Sequence, residues 1–204
     1  MPVSVNPAFG AAFGPSLDAG TYTVKIVKGD TSFSTTIELN ENPQFGYTAA
    51  ERKARKEVIL RAYNMLEELA FIDERINSIG EQALQLSEQI SNSKMKADAT
   101  ELYYLMDGLH KEVVATQAGE GAIVGQVRLR EKIVEIYSTV SGYEGPPNAA
   151  QKVALDVYAT EMEAIENKLQ LMVESRVKPM NAYCEKKKLP VITIPTRESF
   201  FGEN

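Results

Sequence analysis

The sequence predicts a mainly α-helical fold with a small β part: a β-hairpin followed by an elongated antiparallel bundle of about four helices. Three patterns carry this reading. Leu69, Ile76, Ala83 and Ile90 recur at heptad spacing, with Ile72, Ile79 and Leu86 between them, which is a two-position helical seam. A second seam, Leu155, Tyr158, Met162, Ile165, Leu169 and Met172, lies in a second long stretch without Pro or Gly. Near the N-terminus two alternating segments flank Lys28-Gly29-Asp30, a turn signal.

Residues 1–46 form a lead-in and hairpin, with strands over about 21–27 and 31–39. Tyr22, Val24 and Ile26 share a face with Phe33, Ile37 and Leu39. A lone two-stranded hairpin is marginal in water, so this apolar face is expected to lie on the helices or on a sheet from elsewhere.

Residues 47–189 form the bundle. Thr48 with Glu51 is a capping-box start for a helix reaching about Ser91. Such a helix is roughly 65 Å long, too long for one side of a compact globule. After a polar break at 92–97, a second helix is expected near Asp98, which has Glu101 at the capping-box offset. Leu102, Leu105, Leu109, Val113 and Thr116 form its stripe. Gly119, Gly121 and Gly125 loosen the chain before a third helix over about 126–140, with Leu129, Ile133, Ile136, Tyr137 and Val140 inward. Asn148 with Gln151 starts the fourth helix, which Pro179 is expected to kink or break. Residues 190–204 read as an extended, flexible C-terminal tail.

The composition narrows the function. The chain has 204 residues and a net charge of −6, against nucleic-acid binding, which needs surplus Lys and Arg. One Cys and one His exclude a disulfide framework and a Cys/His zinc site. No apolar run approaches the ~20 residues of a membrane span, so membrane insertion is not expected. The first residues lack the basic and apolar segments of a signal peptide. The chain is therefore cytoplasmic, or it begins after a signal or an upstream domain.

No catalytic constellation emerges, and no cofactor or metal site is expected. His110 and Asp107 lie three residues apart and read as a solvent-facing helix pair. Replacing His110 with Ala is then expected to change nothing measurable. The glycines at 119, 121 and 125 lack the preceding strand that a dinucleotide loop requires. Glu67, Glu68, Asp73, Glu74, Glu161, Glu163 and Glu166 single out no carboxylate pair of glycosidase spacing and read as solvated faces. Arg52, Lys53, Arg55, Lys56 and Arg61 crowd the start of the first helix, as a solvated face with Glu51 and Glu57 or a contact for an acidic partner. Cys184 reads as a small buried apolar residue.

Several segments together carry a resemblance. They are Gly20-Thr-Tyr-Thr-Val-Lys-Ile, Val113-Val-Ala-Thr-Gln-Ala, Arg128-Leu-Arg-Glu-Lys-Ile, Ile136-Tyr137-Ser-Thr-Val, Gly145-Pro-Pro-Asn-Ala-Ala-Gln151, Pro179-Met-Asn-Ala182 and Lys188-Leu-Pro-Val-Ile192. In this order the chain resembles the C-terminal region of bacterial sortilin-like β-propeller proteins. These carry BNR (Asp-box) repeats and are often labelled glycosyl-hydrolase-related. Where that family commonly has Asn-Phe-Pro, this chain reads Ala122-Ile-Val-Gly-Gln-Val127. The resemblance implies an exported protein, periplasmic or extracellular, with any carbohydrate chemistry in a propeller upstream. No catalytic residue carries over to this chain.

The expected function is therefore a non-catalytic accessory module whose partner is that upstream propeller or another protein domain. The alternatives are an autonomous coiled-coil protein that forms a homodimer or binds a helical partner through its seams, and a glycan-binding protein.

Overall fold

The structure is a computed structural model that describes residues 14–42, 44, 46–116 and 126–202. Strands β1 (Gly20–Lys28) and β2 (Thr31–Leu39) form an antiparallel hairpin. Helices α1 (Ala49–Gln89), α2 (Ser93–Val113), α3 (Leu129–Ser141), α4 (Ala149–Met172), α5 (Lys178–Lys187) and α6 (Arg197–Phe201) follow.

Thr48 starts α1 with a complete capping box. Its hydroxyl accepts from the Glu51 N–H at 3.2 Å, and the Glu51 carboxylate accepts from the Thr48 N–H at 2.8 Å. From there α1 runs 41 residues as the spine of the molecule. Its seam residues Leu69, Ile72, Ile76, Ile79, Ala83 and Leu86 are all buried, as is Ile90 at the C-cap.

The helices pack as three rods. α2 and α3, end to end, run antiparallel to α1: Gly80 faces Met106, and Tyr63 stacks on Tyr137. α2 covers the C-terminal half of α1 and α3 the N-terminal half. A β-carbon at Gly80 would stand 3.1 Å from that of Met106, so the missing side chain lets α1 and α2 approach closely. The Glu131 carboxylate closes the joint between α2 and α3, accepting from the backbone N–H of Ala115 at 3.0 Å and of Arg128 at 3.2 Å. The third rod, α4 to α5, runs alongside α1 in the same direction. Arg61 pairs with Asp156 and, further along both helices, Arg75 pairs with Glu166.

Two boundaries and one buried stripe differ from the sequence expectation. α2 starts at Ser93, because Asn92 is a working cap that accepts from the Met95 N–H at 3.0 Å; Asp98 instead pairs with Lys94 on the solvent side. Its buried stripe is Ala99, Leu102, Met106, Leu109 and Val113, with Leu105 only half-buried and Thr116 beyond the helix. α3 begins at Leu129 rather than Gln126. Pro179, where the sequence predicts a kink or break, interrupts the last long helix without ending it. A π-turn over Val173–Val177 precedes it, and α5 continues to Lys187 with Pro179 in its first turn. Proline's ring presses on the carbonyl four residues back, here Ser175, and the wider π-turn makes room for it. The glycines at 119, 121 and 125 lie outside the described residues.

The C-terminal segment is docked rather than free. Ile192 is only 3% exposed, and Phe200 and Phe201 both stack on Phe71 of α1. Of the second seam, Leu155, Ile165 and Leu169 are buried, while Tyr158, Met162 and Met172 are half-buried against the same core.

Candidate functional site

Among the described residues, the hairpin is the element left least covered. Gly29 has φ +58°, and Asp30 has no positive φ. That is the pattern of a type II′ turn, whose first position favours glycine and whose twist matches the strands. The register is unbroken from Lys28 opposite Thr31 to Gly20 opposite Leu39. Val24 stands opposite Thr35, Ile26 opposite Phe33, and Tyr22 opposite Ile37, so these side chains share a face.

Beyond its base this face is exposed rather than packed on the helices. Phe33 is 65% exposed and Ile26 62%, and Val24 and Ile37 are also exposed; only Tyr22 and Leu39, at the base, are half-buried. Of the two coverings expected from sequence, the chain's own helices are therefore not the one. The helices already close their core among themselves.

Two cations of the basic cluster at the start of α1 hold the hairpin. Lys56 pairs with Asp18, just before β1, and Arg52 pairs with Glu41, just after β2, at 3.1 Å. The hairpin is thus gripped on both strands at its base. Tyr22 adds a hydrogen bond from its hydroxyl to the Asp18 carbonyl at 2.8 Å. Arg61 pairs with Asp156, and Lys53 with Glu57 on the surface. Arg55 does most. Its guanidinium donates to the carbonyls of Val140 at 3.1 Å, Ser141 at 2.8 Å and Tyr143 at 2.6 Å, and pairs with Glu144 at 3.5 Å. It thereby caps the C-terminus of α3, where a cation is favoured. A cavity of about 260 Å³ lies at this joint, with Leu17, Glu41 and Ile59 among its walls. The acids Asp18, Glu41 and Glu144 offset its three cations.

The other sequence-noted residues serve the bundle. The imidazole of His110 meets Asp73 of α1, Nδ1 to Oδ1 at 2.7 Å, not Asp107, which pairs with Lys111 one turn on. Asp73 also accepts from Asn77. His110 is thus a partly buried bridge between α1 and α2 rather than half of a solvent-facing pair. Glu68, Glu161 and Glu166 pair with Arg197, Lys132 and Arg75. Cys184 is buried, and burial pushes its thiol pKa up. Among the described residues, no three acids, histidines or cysteines are grouped to hold a metal ion, and no helix is long and apolar enough to cross a membrane.

Two arrangements carried no local signal in the sequence. The Arg55 cap joins residues 85 to 88 positions apart. Asn181 holds the backbone of Ile192 and Gln82 that of Thr193, each through a pair of hydrogen bonds. The run Val191-Ile192-Thr193-Ile194 suggests an extended segment but not what grips it.

Compared with protein-family models, with curated proteins and with solved structures, the chain gives no match. The sortilin-like resemblance therefore rests on the segments that carry it.

Proposed function

We propose that this chain is a non-catalytic accessory module that presents its hairpin to the β-sheet of a neighbouring domain. One observation carries the reading: among the described residues the hairpin's apolar face stands open while the helical seams are filled. An apolar face held firmly at its base and left in water is the mark of a contact surface. The resemblance supplies the neighbour, the propeller of an exported sortilin-like BNR-repeat protein, with this chain as its C-terminal brace. Any glycosidase-type chemistry would belong to that propeller.

A second reading, docking of a helical partner, draws on Val153, Val157 and Leu171, which are exposed along α4. The seam residues themselves are not free for it, since they line the chain's own core.

The test is a photo-crosslinking amino acid at position 33, introduced in the source cells, with a second at the exposed helical position Tyr104. Crosslinked peptides are read by mass spectrometry. Adducts from position 33 to a β-rich segment outside residues 1–204 support the proposal. Adducts only within this chain, or equal capture from both positions, overturn it.

A further inference from the structure

The hairpin has two outer edges as well as a face, and among the described residues neither edge carries a further strand. We infer that the β2 edge pairs antiparallel with β2 of a second copy of this chain, making a four-stranded sheet.

Edge protection differs between the strands. Edges that must stay single are commonly blunted by Lys, Pro or a bulge. β1 carries Lys25 and Lys28. β2 has no Lys, no Pro and no break in register over its nine residues, and Thr31 through Glu38 are all exposed.

The backbone phase fits as well. In a hairpin closed by a two-residue turn, the flanking residues, here Lys28 and Thr31, form a hydrogen-bonded pair. The N–H and C=O groups of Ser32, Ser34, Thr36 and Glu38 then point to the free edge. A two-fold axis at Thr35 sets Ser34 against Thr36 and Ser32 against Glu38 of the other copy, so every outward group meets an outward group. The same register sets Phe33 against Ile37, an aromatic–β-branched pair on the apolar face, and Thr35 against itself.

Charge complementarity selects β2 over β1. In the β2 pairing the only charge, Glu38, faces Ser32. The corresponding β1 pairing, centred on Val24, brings the Lys25 side chains of the two copies to diagonal positions roughly 7–8 Å apart.

Pairing also answers the hairpin's marginal stability, since three or more strands are needed for an independent sheet. The contact is small. A nine-residue edge is about 30 Å long and buries well under the ~1,200 Å² of a standard interface. Association is accordingly weak. This pairing uses the edge and not the face, so it stands or falls apart from docking on a neighbouring domain.

The test uses the full chain. In sedimentation, its weight-average mass rises toward twice the monomer with concentration, and Ser34→Pro, which removes an outward N–H, abolishes the rise. Under mild oxidation, Thr35→Cys forms a disulfide-linked dimer, because residues facing across a non-hydrogen-bonded site have Cα atoms about 4.5 Å apart, within bridging range. Val24→Cys, at the matching centre of β1, does not. Cys184 is buried and contributes no background. A chain that stays monomeric at millimolar concentration, or equal crosslinking of Thr35→Cys and Val24→Cys, overturns the inference.

Discussion

The side chain of Gln82 binds the backbone of Thr193 in both directions, accepting from its N–H at 2.8 Å and donating to its carbonyl at 2.7 Å. Asn181 does the same for Ile192, with both bonds at 2.8 Å. Two amide side chains, one from α1 and one from α5, thus replace the neighbouring strand that an extended segment would otherwise pair with. They seat Ile192 in the core and direct α6 onto Phe71.

Replacing Gln82 with Ala is expected to loosen this segment without unfolding the bundle. The cost is about 1 kcal/mol, since the bonds are partly exposed to solvent. Hydrogen exchange at the Thr193 amide should accelerate, while amides in the middle of α1 stay protected. Unchanged exchange at Thr193 would show that the clamp does not hold the segment.

Arg55 is the critical cation of the joint. Its side chain is 16% exposed and bonded to three carbonyls and one carboxylate. Arg55→Ala is expected to cost about 1.5–3 kcal/mol, the range for hydrogen bonds to charged groups. Arg55→Lys should recover only part, because an ammonium lacks the guanidinium fork. Urea unfolding of the three proteins checks both statements, and equal stability of wild type and Arg55→Ala would refute them.

The two seams differ in how deeply they are buried. Ile76→Asp places an unpaired charge at a fully buried site and is expected to unfold the chain, a loss above about 4 kcal/mol. Ile165→Asp should behave alike. Ile76→Val removes one methyl group and should cost only about 1 kcal/mol. Circular dichroism with thermal melting separates these outcomes.

His110 bridges two helices, so His110→Ala is not silent. Loss of its hydrogen bond to Asp73 is expected to cost about 1 kcal/mol, while Lys111→Ala, which breaks an exposed pair with Asp107, stays within about 0.5 kcal/mol. Equal effects of the two changes in urea titrations would return His110 to the surface.

Stability is expected to decline at alkaline pH. Burial raises the pKa of Cys184 and of Tyr137 in the folded chain. An unfolded thiol ionises near about pH 8.5 and an unfolded phenol near about pH 10. Above those values the unfolded state releases protons that the folded state keeps, so folding weakens as pH rises through each unfolded value toward the raised folded one. Cys184→Ala should remove the earlier part of the decline, measured by urea midpoints between pH 7 and 11. The native thiol should also react with a disulfide reagent only after denaturation.

Much of the fold was legible because its signals are local. Gly29 sets the turn, and alternation to either side sets both strands. Thr48 with Glu51 and Asn148 with Gln151 set two helix starts, since a cap involves residues three apart. The heptad spacing places Leu69 through Ile90 inside. The helix at Ser93 was misjudged because its first turns are polar, and a solvated helical turn looks like a loop. Pro179 marks where the last long helix is interrupted, but the π-turn that accommodates it is a property of the packed helix, not of one residue.

The sequence by itself determined the hairpin, the long helices, their order and their apolar faces, since periodicity and caps act over a turn of helix or a pair of strands. Only the tertiary structure decided which distant groups meet: His110 with Asp73, Arg55 with the end of α3, Gln82 with Thr193. Only it showed that, among the described residues, the face bearing Ile26 and Phe33 is not packed on the helices. Those outcomes depend on how three rods fill their common core, and a helix or strand shows its apolar face without showing what will cover it.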